Sequence, residues 1–330
     1  MTSKTRRLSR SAAALLVAVA LTGGLVACST GGASGSCTPA ATAGEASETV
    51  TATEQFGTQP KVSFATPLRP KTTEVSTLIE GTGNPITEGQ YVSTFLTILN
   101  GTDGSVLSQS TYSADEPASF VIDQLGIQGF RNGMKCARVD SRIAMVIPGA
   151  EAFTDENRPT GLTADDSIVI VADITAAYLA KAQGTLQLAT SGLPAVVRAP
   201  DGRPGVQIPT SPKPTSLKIV DLIAGDKNQV VKDGDTVVVH YTGVLWDTGE
   251  IFDSTWQSKT DPKKNGAPVA VPATEGQALP GFVKALVGQH VGSQVLAVIP
   301  PSEGYGDQAS GSIPAGSTLV FVIDILGVVG

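Results

Sequence analysis

This chain of 330 residues holds two histidines, His240 and His290, and three cysteines. Neither histidine has a metal-ligand partner at a useful spacing, so a metal centre is not expected. Gly101-Thr102-Asp103-Gly104 reads as a turn, and no glycine loop leads from a strand into a helix in the way that cradles a phosphate. A hydrolase triad is not visible and no cofactor is expected. Beyond Arg10 there is no cluster of Lys and Arg, which together with a net charge of −7 argues against a nucleic-acid partner.

What is present is enough apolar material, 41% of the residues, for more than one domain with its own core. The single basic run, Lys4-Thr5-Arg6-Arg7-Leu8-Ser9-Arg10, precedes an apolar stretch from Ala12 to Leu21 and then Leu25-Val26-Ala27-Cys28. Charge, a short apolar core and a small residue before cysteine are the requirements of an export signal, and the stretch is short for a membrane span. Cys28 resembles the lipidated cysteine of a bacterial lipobox; an ordinary buried cysteine is the plainer alternative. The Arg6-Arg7 pair leaves twin-arginine export open as a route. The expectation is a lipoprotein signal peptide over 1–27, a Gly/Ser/Thr-rich flexible tether over 28–49, and a mature protein lipid-anchored to the outer face of the bacterial plasma membrane. Cys37 and Cys136 would then be an even pair in an oxidising compartment, either joined as a disulfide or left as two thiols.

The chain repeats itself. Leu78-Ile79-Glu80-Gly81 aligns with Leu222-Ile223-Ala224-Gly225 at an offset of 144, and Phe130 to Pro148 aligns without a gap with Phe282 to Pro300 at an offset of 152. Two copies of one fold with loops of different length account for the drift. The boundaries expected are a first domain over 50–182, a linker over 183–193 and a second domain over 194–330.

Alternation of apolar side chains makes Thr236 to Tyr241 a strand, Asp247-Thr248-Gly249-Glu250 a turn and Ile251-Phe252 a returning strand. Pro194 to Ile208 reads as a hairpin around Asp201-Gly202, while Leu217 to Ile223, Gln294 to Ile299 and Thr318 to Leu326 read as further strands. Apolar residues at 279, 282, 283, 286 and 287 have the spacing of one helical face. The fold class is α+β, each copy a half-open antiparallel sheet wrapped on a short helix.

Four fragments occur in order: Val239-His240-Tyr241-Thr242-Gly243 with Ile251-Phe252-Asp253-Ser254; Leu279-Pro280-Gly281-Phe282; Val298 to Gly306, including Pro300-Pro301-Ser302-Glu303-Gly304-Tyr305; and Ile313-Pro314-Ala315-Gly316 running on to Phe321. Together they resemble the FKBP-type peptidyl-prolyl cis/trans isomerases over roughly residues 194–330. The resemblance implies two tandem domains of that fold, of which the second is an isomerase with Tyr241, Phe252, Leu279, Phe282, Ile313 and Phe321 lining a proline pocket, Val269 and Ala278 beside it, and Asp253 and Tyr305 as its polar members. The backbone N–H of Leu279 is implied as a donor to the substrate. Proline-containing polypeptides are the implied partners, with macrolide ligands a further expectation. Phe282 stands where the family often has tryptophan and Val269 where it often has an aromatic residue, which points to an altered sequence preference.

In the first copy Leu96, Leu107, Ser108, Phe153 and Ile170 stand opposite Tyr241, Phe252, Asp253, Tyr305 and Phe321. Bulk is kept, while both hydroxyls and the carboxylate are lost, so this copy is expected to be degenerate and inactive, serving in substrate holding, spacing or stability, or simply packing on its neighbour. Assistance to the folding of secreted or cell-envelope proteins is the expected function. The alternative is a non-enzymatic chaperone or scaffold that binds extended proline-containing chains, with the aromatic residues as plain core.

Overall fold

The computed structural model describes residues 37–53, 55–113, 117–154, 156–226, 228–256 and 266–329. The expected signal peptide, Cys28 and the start of the expected tether lie outside the described residues. The first domain runs through α1 (Glu45–Glu48), β1 (Thr51–Ala52), β2 (Val62–Ser63), β3 (Glu74–Ile79), β4 (Tyr91–Asn100), β5 (Val106–Gln109), β6 (Ala118–Val121), α2 (Gln128–Met134), β7 (Arg142–Ile147), α3 (Gly149–Ala152) and β8 (Ile168–Ala177). After β9 (Gly184–Leu186) the second domain follows as β10 (Ala195–Arg198), β11 (Pro204–Gln207), β12 (Lys218–Gly225), β13 (Thr236–Leu245), β14 (Ile251–Ser254), β15 (Val269–Pro272), α4 (Pro280–Leu286), β16 (Gln294–Ile299) and β17 (Leu319–Val329).

Each domain is an antiparallel sheet with the same internal order. The first reads β3-β7-β8-β4-β5 with β6 on β4, the second β12-β16-β17-β13-β14 with β15 on β13. Even the irregularities repeat. β-Bulges interrupt β3 between Thr77 and Ile79 and β12 between Asp221 and Ile223, and both central strands slip against β8 or β17 at Ser93/Thr94 and Val238/Val239. A bulge fixes register and twist, so its recurrence means that the two copies bend alike.

The sheets are covered on both faces, which the expected half-open sheet on one helix did not include. In the second domain Val295, Ala297 and Ile299 of β16 meet Phe282, Ala285 and Leu286 of α4 on one side, while Leu296 and Val298 meet Val196, Val206 and Ile208 of the β10–β11 hairpin on the other. That is why Gln294–Ile299 is buried throughout and reads as a continuous apolar run instead of an alternating one. The helix sits close because Gly281 has no side chain; a Cβ there would lie 2.6 Å from Ile299 Cγ2. Gly129 of α2 stands in the same relation to Ile147.

Two connecting segments differ from expectation. Residues 37–49 are not a free tether: Cys37 and Cys136 are joined as a disulfide with Cα atoms 5.6 Å apart, Ala46 and Ser47 of α1 are buried, and their N–H groups donate to Glu74 Oε2 at 2.8 and 3.0 Å. A composition rich in small residues hid a short helix held by tertiary contacts. Within the expected linker 183–193, Gly184–Leu186 pairs with β12 through Ile223, Ala224 and Gly225 and extends the second sheet. The weak apolar pattern follows from its edge position, where all three residues are exposed. Among the described residues no helix is long and apolar enough to cross a membrane.

Candidate functional site

Phe321 of β17 lies opposite Gly243 of β13 and Ala297 of β16, which places its ring at the middle of the sheet on the helix side. Three other rings stand edge-on against it: Phe282 from α4 at 5.0 Å between centroids, Phe252 from β14 at 5.5 Å and Tyr241 from β13 at 5.8 Å. Tyr241 also meets Phe282 at 5.7 Å and 80°. Each of these contacts is of the edge-to-face kind that aromatic quadrupoles favour. Phe321, Phe282 and Ile313 are 4–6% exposed and form a floor. Tyr241, Phe252, Asp253, Ala278 and Leu279 are half-buried around it, and Tyr305 and Val269 are exposed at the rim, at 38% and 37%. Ile313 is held inward by a tight loop in which it exchanges hydrogen bonds with Ser310 at 2.9 and 3.0 Å.

Gly243 makes room for this arrangement. A Cβ there would fall 2.4 Å from Phe252 Cζ, so the ring at 252 can turn inward only over a residue without a side chain. In the first domain the same register position, opposite Ser108 as Gly243 is opposite Asp253, is Ile98. Leu107 is correspondingly 40% exposed. On the helix side that domain has the aromatic pair Phe120 and Phe130, at 5.4 Å, and Ile170 provides no ring at the centre of the sheet. The glycine lay within the fragment that singled out this region, yet its spatial task was not visible in it, because a clash partner nine residues onward is set by strand register.

The polar members are few. The Tyr241 hydroxyl donates to Asp253 Oδ2, and Asp253 Oδ1 accepts the Ser254 N–H at 2.8 Å. Burial first, and then the Asp253 carboxylate, hold the Tyr241 phenol above its ordinary pKa, so at neutral pH it is a neutral donor and not a base. Leu279 is the N-cap of α4; its carbonyl accepts the N–H groups of Phe282 and Val283, while its own N–H donates to no other described residue. No group of three or more His, Cys, Asp or Glu suited to a metal ion stands among the described residues. The cleft offers apolar walls, one hydrogen-bonded carboxylate and one backbone donor. Among its described residues there is no activated nucleophile.

Two further residues, singled out by no motif, lie directly behind the cleft. Thr255 Oγ1 accepts the Tyr241 N–H at 2.8 Å, and the Thr255 N–H donates to Tyr241 O at 3.0 Å. The next residue, Trp256, stacks on His240 at 4.0 Å and 19°.

Residues 227–326 match the family model of FKBP-type peptidyl-prolyl cis-trans isomerases. The chain is similar to an FK506-binding protein of Streptomyces anulatus, 36% identical over 128 residues that cover 38% of this chain and 97% of the relative. It is likewise similar to a probable FK506-binding protein of Corynebacterium glutamicum, 35% identical over 124 residues, 38% of this chain and 97% of the relative. A human relative, peptidyl-prolyl cis-trans isomerase FKBP14, is 40% identical over 95 residues, 29% of this chain and 43% of that protein.

Proposed function

As this chain belongs to the FKBP-type peptidyl-prolyl cis-trans isomerase family and is an enzyme of that activity, we propose that its turnover takes place in the aromatic cleft of the second domain. The observation that carries this reading is the convergence of Tyr241, Phe252 and Phe282 on Phe321, with Asp253 hydrogen-bonded at the mouth.

Rotation about an X-Pro bond is opposed by amide resonance, with a barrier of about 18–20 kcal/mol. A catalyst needs to bind the twisted amide better than the planar one and nothing more. The planar form is the more charge-separated, with negative charge on the carbonyl oxygen. Apolar walls that strip water from that oxygen disfavour it, and so does a carboxylate fixed nearby. The pyrrolidine ring would rest on Phe321 and Phe282, with the Leu279 N–H holding a carbonyl of the peptide. A thousandfold acceleration corresponds to about 4 kcal/mol, within reach of a few such contacts.

The substrates we infer are proline-containing stretches of secreted or envelope proteins, with the enzyme exported and anchored through lipid on Cys28. Macrolide ligands would compete for the same cleft. The Cys37–Cys136 disulfide supports an oxidising location. The first domain, without the central ring, the phenol or the carboxylate, would be a degenerate copy with no turnover of its own.

A protease-free assay of an Ala-Leu-Pro-Phe-type peptide tests the cleft. Phe282→Ala and Asp253→Ala should each lower kcat/KM by about tenfold or more; both variants running at the wild-type rate would refute the assignment. Anchoring has its own test, since Cys28→Ala should move the protein from the membrane fraction to the soluble fraction.

A further inference from the structure

We propose that His240 and Trp256 form a positioning pair for this reaction, acting through Thr255 to hold the Tyr241–Asp253 pair in its working geometry; the proposal rests on the second domain's cleft being the catalytic one.

Successive residues of a strand face opposite sides of the sheet. Tyr241 turns its ring into the cleft, and His240 turns to the opposite face, where it is 3% exposed. Trp256, 7% exposed, lies flat on it. Between them Thr255 is tied to both neighbours of the site. Its hydroxyl lies 2.8 Å from His240 Nδ1 and 2.8 Å from the Tyr241 N–H, and the Ser254 hydroxyl adds a bond to Tyr241 O at 3.2 Å. The chain from Asp253 to Trp256 therefore clasps the backbone of Tyr241 at both its donor and its acceptor.

The direction of these bonds is decided by the histidine. Thr255 has one hydroxyl proton, with His240 Nδ1 at 2.8 Å and Tyr241 O at 3.3 Å as acceptors within reach, and it can donate to Nδ1 only if that nitrogen is unprotonated. Burial depresses His240 to about 4, so the ring is neutral at neutral pH, and in the tautomer that carries its proton on Nε2 the Thr255 hydroxyl donates to Nδ1. Protonation would place an N–H there, reverse the bond and turn the Thr255 hydroxyl proton from His240 to Tyr241 O, 3.3 Å away, which changes the clasp on Tyr241. Among the described residues, the ionisable groups around it are its cross-strand neighbour Asp324 and, along the edge of the cavity that His240 and Trp256 share with the first domain, Lys181, Asp201, Glu88 and Asp123. In the first domain the same scaffold is assembled without an imidazole: Phe95 packs on Tyr112 at 5.1 Å and the Leu96 N–H donates to Ser110 Oγ at 2.9 Å.

The test uses the full-length enzyme and the protease-free assay over a range of pH, with cooperative thermal unfolding as the check on folding. His240→Phe, the residue of the first domain, should lower kcat/KM by about tenfold, the scale of effect expected when a group near the chemistry is misplaced. His240→Asn, whose side-chain oxygen can accept from Thr255 where Nδ1 does, should recover to within about twofold of wild type. The wild-type rate should fall in acid with a midpoint near the value of His240, and His240→Asn should lack that limb. Trp256→Ala, by admitting water, should move the limb toward the ordinary histidine value of roughly 6.5. A His240→Phe enzyme with the wild-type kcat/KM, or an acid limb unchanged in His240→Asn, would overturn the proposal. If Phe282→Ala also left the rate unchanged, the assignment of the cleft would fall with it; Phe282→Ala inactive beside His240→Phe active would remove only the positioning role.

Discussion

Ile98 in the first domain and Gly243 in the second occupy one place in the same sheet topology, and between them they divide a filled fold from an open one. Over Gly243 the Phe252 ring lies inward against Phe321; over Ile98, Leu107 is 40% exposed. The rest of the change follows the same logic, with Tyr241, Asp253 and Phe321 answered by Leu96, Ser108 and Ile170. A fold of this kind keeps its core without aromatic rings at the sheet centre, since branched aliphatic side chains fill the volume. The rings of the second domain are therefore an addition that stability does not require.

Behind the sheet the two domains solve another problem differently. Asp173 and Asp324 stand at matching register positions, opposite Arg142 and Gln294. In the first domain Arg142, fully buried, donates to both oxygens of Asp173, at 2.5 and 2.7 Å, and to the carbonyls of Gln55 and Thr58, both at 2.9 Å. In the second domain Gln294 donates to Asp324 Oδ1 at 2.7 Å, the cation Arg198 comes from the hairpin and donates to Gln294 Oε1 at 2.6 Å and to the Leu222 carbonyl at 3.5 Å, and Asp324 Oδ2 accepts the N–H of Ala182, from the segment between the domains. Burial pushes Asp324 up to about 6.

The largest effect expected from erasing these differences is Arg142→Gln, which gives the first domain the partner found in the second. It leaves Asp173 buried without its cation and should cost about 3–5 kcal/mol in denaturant unfolding. The reduced or Cys37→Ser/Cys136→Ser protein should lose about 2–4 kcal/mol through the freed loop, a sequence separation of 99 residues, with isomerase activity at low temperature unchanged because the cleft lies in the other domain. Gly243→Ile converts the second domain toward the first. It should displace Phe252 and lower kcat/KM about a hundredfold, or roughly 2.7 kcal/mol; residual turnover well above that level would place activity in the first domain.

The smallest net effect is expected in the unaltered protein and concerns pH. A buried histidine depressed to about 4 costs stability as pH falls from its unfolded value of roughly 6.5 toward 4, because the unfolded chain takes up a proton that the folded one refuses. A carboxyl raised to about 6 has the opposite sign: its favourable contribution is lost as pH rises from about 4 to 6. His240 and Asp324 thus nearly cancel, and the unfolding free energy of the second domain should be level between pH 4 and 6. Asp324→Asn should uncover a rise with pH of about 3 kcal/mol across that interval, measured by urea denaturation at several pH values.

Much of this was legible in the residues. The strands read over Thr236 to Tyr241, Gln294 to Ile299 and Thr318 to Leu326, the hairpin over Pro194 to Ile208 and the helical face over Leu279 to Val287 follow from periodicity and turn residues and fall on β13, β16, β17, β10–β11 and α4. The repeat was legible because its spacing is nearly constant. Gly184–Leu186 and Glu45–Glu48 were not, since short elements held by contacts with distant residues carry no periodic signal of their own.

Sequence by itself determined the two copies, the ordered fragments of the second and the loss of phenol and carboxylate in the first, since local pattern and identity travel along the chain. Only the tertiary structure decided that Gly243 is space for Phe252, that Thr255 links His240 to Tyr241, and that Cys37 joins Cys136. Each of these depends on which residues strand register and packing bring within a few ångströms of one another, and register is a property of the folded sheet, set by bulges and by both of its covered faces.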